Sequence, residues 1–131
     1  MRRLFSLTIY LTLLISACLT SVGEAESDKS ILVLSAEGPL TPAMAEYLDR
    51  GIQRAEQESF AALVFELSTP GGSIDLMDRI VQSIRASRVP VIIYIAPRGA
   101  IAGSAGTVIT LAGHAAAMAP ETAIGAASPV G

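Results

Sequence analysis

Short apolar runs of strand length alternate with stretches of helical period along residues 31–119, and this alternation restricts the fold more than any other feature. Ile31-Leu32-Val33-Leu34 is apolar without interruption, the pattern of a strand covered on both faces. Thr41-Pro42 then supplies an N-cap followed by proline at the first helical position. Met44, Leu48, Ile52 and Ala55 recur at spacings of four and three, which predicts a helix over residues 42–56. A second strand over residues 61–67 is closed by Thr69-Pro70-Gly71-Gly72, because proline and glycine do not continue it. Ser73 caps a helix ending near Ser87, with Ile74, Met77, Ile80, Val81 and Ile84 on one stripe and Asp75, Asp78, Arg79 and Arg85 toward water. Residues 89–96 form a third strand with Pro90 at its entrance, and residues 97–103 a loop. From Ser104 to about His114 the chain is apolar nearly all round, so a buried helix is expected with Ser104 in its first turn. A fourth strand follows over residues 115–119. Such alternation predicts an α/β fold of right-handed βαβ repeats around a parallel sheet. Ligands of these sheets bind beyond the carboxyl ends of the strands, where both Pro70-Gly71-Gly72 and the stretch from Arg98 to Ser104 fall.

The 131 residues suffice for one compact domain, and 51% apolar with 16% charged residues excludes a disordered chain. A net charge of −3 leaves no basic stripe, and three phenylalanines with three tyrosines leave few rings for base stacking, so nucleic acid is not an expected partner. Cys18 is the single cysteine, which removes both an internal disulfide framework and a cysteine-based metal cluster. Residues 1–25 read as an export signal, with Arg2 and Arg3 ahead of an apolar stretch from Leu4 to Leu19, and residues 26–30 as a polar linker. Cleavage after Ala25, with Gly23 and Ala25 as the small pair, is the preferred processing. Ile15-Ser16-Ala17-Cys18 also resembles a bacterial lipoprotein box, which would leave Cys18 lipidated. An uncleaved anchor is the third reading, although the apolar stretch falls short of the about 20 residues that span a bilayer. All three put the remainder on the outer side of a membrane.

Ser104 lies among small residues, Gly103 before it and Ala105-Gly106 after it, which leaves room for a substrate carbonyl. Gly71 and Gly72 can present bare backbone N–H groups to a developing oxyanion, so acyl transfer is the first hypothesis. Each feature also has a plainer reading. A serine at a helix start is usually a cap, and a glycine pair is usually a turn that needs positive φ. A serine nucleophile needs a base within about 3 Å. His114, the single histidine, is ten residues along the same expected helix, roughly 15 Å away, and reads as structural. Lys29, the single lysine, precedes the first strand at the wrong end of the sheet. Glu66 falls inside a strand and Glu121 in a turn beside Pro120, and neither spacing pairs with Ser104. No base for the serine emerges from these residues.

The segments Ser68–Ser73, Pro90–Ala100, Ala102–Thr107 and Met118–Gly131 resemble, in order, the NfeD-type membrane-bound serine proteases of the Clp protease and crotonase superfamily. The resemblance spans nearly all of residues 31–131. It implies a Clp protease/crotonase-like fold, incomplete at the carboxyl end, with Ser104 as nucleophile, Gly71 and Gly72 lining the oxyanion hole, and no cofactor or metal. It places the base, a lysine, some forty residues beyond the serine and therefore past Gly131. The histidine that serves the related Clp peptidases has no counterpart in Ile124-Gly125-Ala126-Ala127-Ser128-Pro129. The chain is thus expected to be part of a longer protease that continues into membrane helices and often a small β-barrel. The implied activity is endoproteolysis of apolar segments, notably of a stomatin-like membrane partner, by a homo-oligomer. Two other readings stay open: a noncatalytic membrane scaffold of the same fold, and an acyl-CoA-handling relative that uses the oxyanion geometry without a serine nucleophile. A parallel sheet ending at its fourth strand leaves an edge and apolar helix faces uncovered. Residues 26–131 expressed alone are therefore expected to aggregate on size-exclusion chromatography rather than to melt cooperatively.

Overall fold

The computed structural model describes residues 30–128. The export signal, Cys18, Lys29 and the last three residues of the final motif lie outside the described residues. Six strands and three helices follow in order: β1 (Ile31–Glu37), α1 (Pro42–Gln57), β2 (Ala62–Ser68), α2 (Ile74–Ala86), β3 (Val91–Ile95), β4 (Ile101–Gly103), α3 (Ala105–Ala112), β5 (Ala115–Met118) and β6 (Ala123–Gly125). The α/β class and the parallel sheet hold: β1, β2, β3 and β5 form one sheet in that order, all parallel.

Strand order advances in one direction, and crossovers of a single hand then put every helix on the same face. There α1 packs on α2 and α2 on α3. Leu34, Phe65 and Ile93 stand in register beneath them and are buried, as are Leu48 and Ile52 of α1, Ile80 and Ile84 of α2, and Ile109 of α3. On the opposite face Val33 is 53% exposed, and Ser35, Glu66 and Tyr94 lie in register across β1, β2 and β3. Among the described residues no helix is long and apolar enough to cross a membrane.

Local signals positioned the first two helices closely. Thr41 caps α1 by accepting the Met44 N–H at 3.1 Å, with Pro42 at the first position, and Ser73 caps α2 by accepting the Leu76 N–H at 3.4 Å. The expected α2 stripe is only partly a core stripe, because Ile74, the first residue of the helix, is 51% exposed. Two further expectations are corrected. The stretch 97–103 is not all loop: Ile101–Gly103 is β4, paired in parallel with β6, and Thr69 bridges to Ala102. The last helix starts at Ala105 rather than at Ser104 and ends at Ala112, with Gly113 as C-cap, so His114 stands outside it. Nor is that helix apolar-buried all round, since Leu111 is 74% exposed.

Phe65 is fully buried between the central strands and all three helices' core, so Phe65→Ala is expected to lower the unfolding free energy by about 3–5 kcal/mol. Val33→Ala on the uncovered face is expected to cost less than about 1 kcal/mol. Equilibrium urea denaturation of the two variants checks the difference.

Candidate active site

The short β4–β6 sheet sits at the carboxyl ends of the large sheet's strands and joins it through Thr69. The Thr69 N–H donates to Ile101 O at 2.6 Å, and the Gly103 N–H donates to Thr69 O at 2.9 Å. Strand β2 thereby hands its direction to β4, and β4 runs straight into Ser104 and α3. Behind β6, the turn at Pro120 is held to the loop before β4: Gly99 N–H donates to Pro120 O at 3.3 Å, and Arg98 makes a forked pair with Glu121 at 2.5 and 3.0 Å.

Ser104 is exposed and occupies the N-cap position of α3 with φ 51° and ψ −118°. For a residue with a Cβ this is a sparsely populated conformation that costs on the order of 1–3 kcal/mol. The serine hydroxyl makes no cap hydrogen bond. A strand, a strained serine and a helix in succession form the elbow that lifts a hydroxyl clear of the backbone. The first N–H groups of α3 face the same side, and the helix end favours negative charge there.

The Thr69–Gly72 turn lies against this elbow. Gly71 has φ 113°, and a Cβ on it would meet Ser104 Cβ and Gly103 O, each at 3.0 Å, so only glycine lets the turn approach this closely. Gly71 O accepts the Leu40 N–H at 2.9 Å, which turns the Gly72 N–H of the same trans peptide away from Leu40. Gly71 N–H donates to Thr69 Oγ1 at 3.1 Å. A Cβ on Gly72 would lie 2.6 Å from Leu40 Cβ, so this glycine is also fixed by packing. Gly106, one turn into α3, faces Thr69 in the same way, its Cβ position 2.6 Å from Thr69 Cγ2.

The structure thus brings Ser104 and Gly71 together. His114 it keeps apart, beyond the far end of an eight-residue helix about 12 Å long. His114 Nδ1 accepts the Val91 N–H at 3.1 Å and the His114 backbone N–H donates to Val91 O at 2.9 Å, so the residue ties the start of β5 to β3. Glu66 accepts from Ser35 Oγ at 2.5 Å on the helix-free face, and Glu121 is taken by Arg98. Among the described residues no group of three His, Cys, Asp or Glu side chains is placed to hold a metal.

Three participants escaped the sequence reading. The Ala105 N–H, 3.4 Å from the Gly71 Cβ position, stands beside the serine as a backbone donor. Thr69 fixes Gly71 through its hydroxyl, and Thr-Pro-Gly at 69–71 did carry a signal for this, since a threonine hydroxyl commonly bonds the backbone two residues on. Gly125 O accepts the Ser104 N–H at 2.7 Å, a contact across 21 positions that no local pattern announces.

The Gly106–Thr69 contact gives a test of this packing. Gly106→Ala is expected to lower stability by about 1–3 kcal/mol through overpacking against Thr69 Cγ2. Adding Thr69→Ser, which deletes that methyl and keeps the hydroxyl, is expected to restore most of the loss in a thermal scan.

The fold recurs in solved structures. The 1510-N membrane-bound stomatin-specific protease carrying a serine-to-alanine substitution superposes with a TM-score of 0.75 at 46% identity, covering 78% of this chain and 49% of that one. A lysine-to-alanine form of that protease in complex with a substrate peptide gives 0.76 at 46% identity, with 79% and 48% covered. In sequence, a membrane-bound protease of Pyrococcus horikoshii is 48% identical over 100 residues, 76% of this chain and 23% of that protein. The membrane protein NfeD1b of Bacillus subtilis is 29% identical over 124 residues, 95% of this chain and 27% of that protein. The chain therefore spans about a quarter of the length of these relatives and about half of the solved chains. The family described as NfeD1b, N-terminal domain, matches residues 30–131, and the chain belongs to it.

Proposed function

We propose that this chain supplies the nucleophile and the oxyanion donors of a membrane-associated serine endopeptidase. The observation that carries the reading is Ser104, exposed and strained at the mouth of α3, with its hydroxyl uncommitted and the Gly71 turn against it. In the reaction Ser104 Oγ attacks the peptide carbonyl carbon and its proton passes to a neutral lysine amine. The carbonyl oxygen gains negative charge, and the C–N bond then breaks as the lysine returns the proton to the leaving amine. Water hydrolyses the resulting acyl-serine.

Backbone N–H groups stabilise the oxyanion best when they are held before charge develops. Gly71 and Gly72 line that hole in this reading, with the Ala105 N–H across from them. The Gly71 N–H is taken by Thr69 Oγ1, so its service as an oxyanion donor requires exchanging that bond for one to the substrate.

The serine and the lysine substituted in the solved relatives stand about forty residues apart. Counted from Ser104, that separation runs past Gly131, which supports a base supplied by sequence following this segment. The relatives' specificity for a stomatin homologue supports apolar segments of a stomatin-like membrane protein as substrate. A peptide joining the β4–β6 sheet as an added strand would bring its carbonyl to Ser104. The domain works on the outer side of the membrane as a homo-oligomer. His114, the one histidine, is held at the wrong end of α3, and this favours a second reading, a noncatalytic partner-binding domain of the same fold.

Ser104→Ala in the full-length protein separates the two. Proteolysis predicts that cleavage of an apolar peptide and labelling by a fluorophosphonate both vanish while the melting temperature holds. Cleavage that survives the substitution rejects Ser104 as nucleophile.

A further inference from the structure

Thr107 lies one turn into α3 with its side chain buried, and its hydroxyl touches three backbone groups of two strands. Oγ1 stands 2.9 Å from Ala102 O in β4, 2.7 Å from Gly125 O in β6, and 2.8 Å from the Gly125 N–H. One hydroxyl has one proton, so it donates to one of the two carbonyls and accepts the Gly125 N–H through a lone pair. Gly125 O in turn accepts the Ser104 N–H at 2.7 Å, and the Thr107 N–H donates to Ser104 O at 2.9 Å. Both backbone groups of Ser104 are therefore tied to Thr107, the carbonyl directly and the N–H through Gly125.

From this arrangement we infer that Thr107 is the positioning residue that holds Ser104 in its strained conformation. The inference rests on the proposed role of Ser104. Gly125 has φ 155°, and a Cβ on it would meet nothing within 4 Å, so packing does not lock this segment in place. Beyond the β4–β6 pairing, Gly125 is tied through its hydrogen bonds to this one buried hydroxyl and through the one it accepts from the Ser104 N–H. Valine has the shape of threonine without the hydroxyl, and it would leave the Gly125 N–H without its acceptor and remove the donor shared by the Ala102 and Gly125 carbonyls. With Gly125 released, the Ser104 N–H loses its acceptor, and the serine relaxes toward ordinary helix-cap geometry, taking its hydroxyl away from the Gly71 turn.

The test uses Thr107→Val and Thr107→Ser in the full-length protein, with two readouts. Amide hydrogen exchange at Ser104 and Gly125 is expected to quicken by about tenfold or more in Thr107→Val, with the core amides of β2 unchanged, and to return near the wild-type rate in Thr107→Ser. The rate of Ser104 labelling by a fluorophosphonate is expected to fall by about tenfold or more in Thr107→Val and to be rescued in Thr107→Ser, with thermal midpoints recorded alongside. A folded Thr107→Val with wild-type protection at both amides overturns the inference. So does rapid exchange of these two amides in the wild-type protein, a measurement that needs no variant to fold. Wild-type protein that takes no label rejects the proposed role of Ser104, and the exchange readout still decides whether Thr107 fixes the elbow.

Discussion

The first turn of α3 rests on the Thr69–Gly72 turn at a separation that no side chain on Gly71 or Gly106 would permit. A Cβ at Gly71 would press on Ser104 Cβ and Gly103 O, and one at Gly106 would press on Thr69 Cγ2. Close packing tolerates little overlap, so a side chain at Gly71 must move the Gly103–Ser104 backbone, and one at Gly106 must displace the Thr69 methyl. The two glycines thus set the distance between the end of β2 and the start of α3. That distance sets the others at the site: the Gly71 carbonyl reaches Leu40, Thr69 reaches Ala102, and Ser104 stands within a few ångströms of backbone donors.

The elbow costs conformational energy, and the fold offsets it with hydrogen bonds drawn from sequence-distant segments. Ser104 N–H bonds to Gly125, Gly103 N–H to Thr69, and Ala123 N–H to Ala100, so β6 returns to cover the same corner that β2 entered. Each such bond contributes about 0.5–1.5 kcal/mol net, and two or three of them are of the size needed to hold one strained residue. The Arg98–Glu121 fork closes the far side of the loop, but its two side chains are largely exposed and screened by water, so its contribution is small.

This division explains what the sequence disclosed. Strands β1, β2, β3 and β5 and helices α1 and α2 were legible because their signals are local: apolar runs of strand length, threonine and serine caps, proline at a first helical turn. The β4–β6 sheet was not, because three residues have no measurable period and their pairing joins Ile101 to Ala123 across a helix and a strand. The site was half legible. Small residues around Ser104 and the glycine pair marked the place, and the parallel-sheet rule put both at the correct end of the strands. The backbone conformation of Ser104, the Ala105 N–H and the tie to Gly125 follow from tertiary contacts and left no mark on composition or spacing.

A comparison within the chain itself separates the two readings of that serine. Among the described residues three helices begin at a hydroxyl residue. Thr41 and Ser73 have extended backbones, φ −128° and −69°, and each hydroxyl accepts the N–H three residues on, which is what a cap does. Ser104 has φ 51°, and its hydroxyl accepts no such bond. If capping were its purpose, the extended conformation would serve better and carry no strain. Of these three cap residues, only Ser104 leaves its hydroxyl without a cap bond, and it does so in the least comfortable backbone, at the carboxyl end of the sheet and against a bare glycine turn. Strain maintained by several long-range hydrogen bonds is a feature of sites where a group must be presented rather than packed, and the cap reading gives no reason for it.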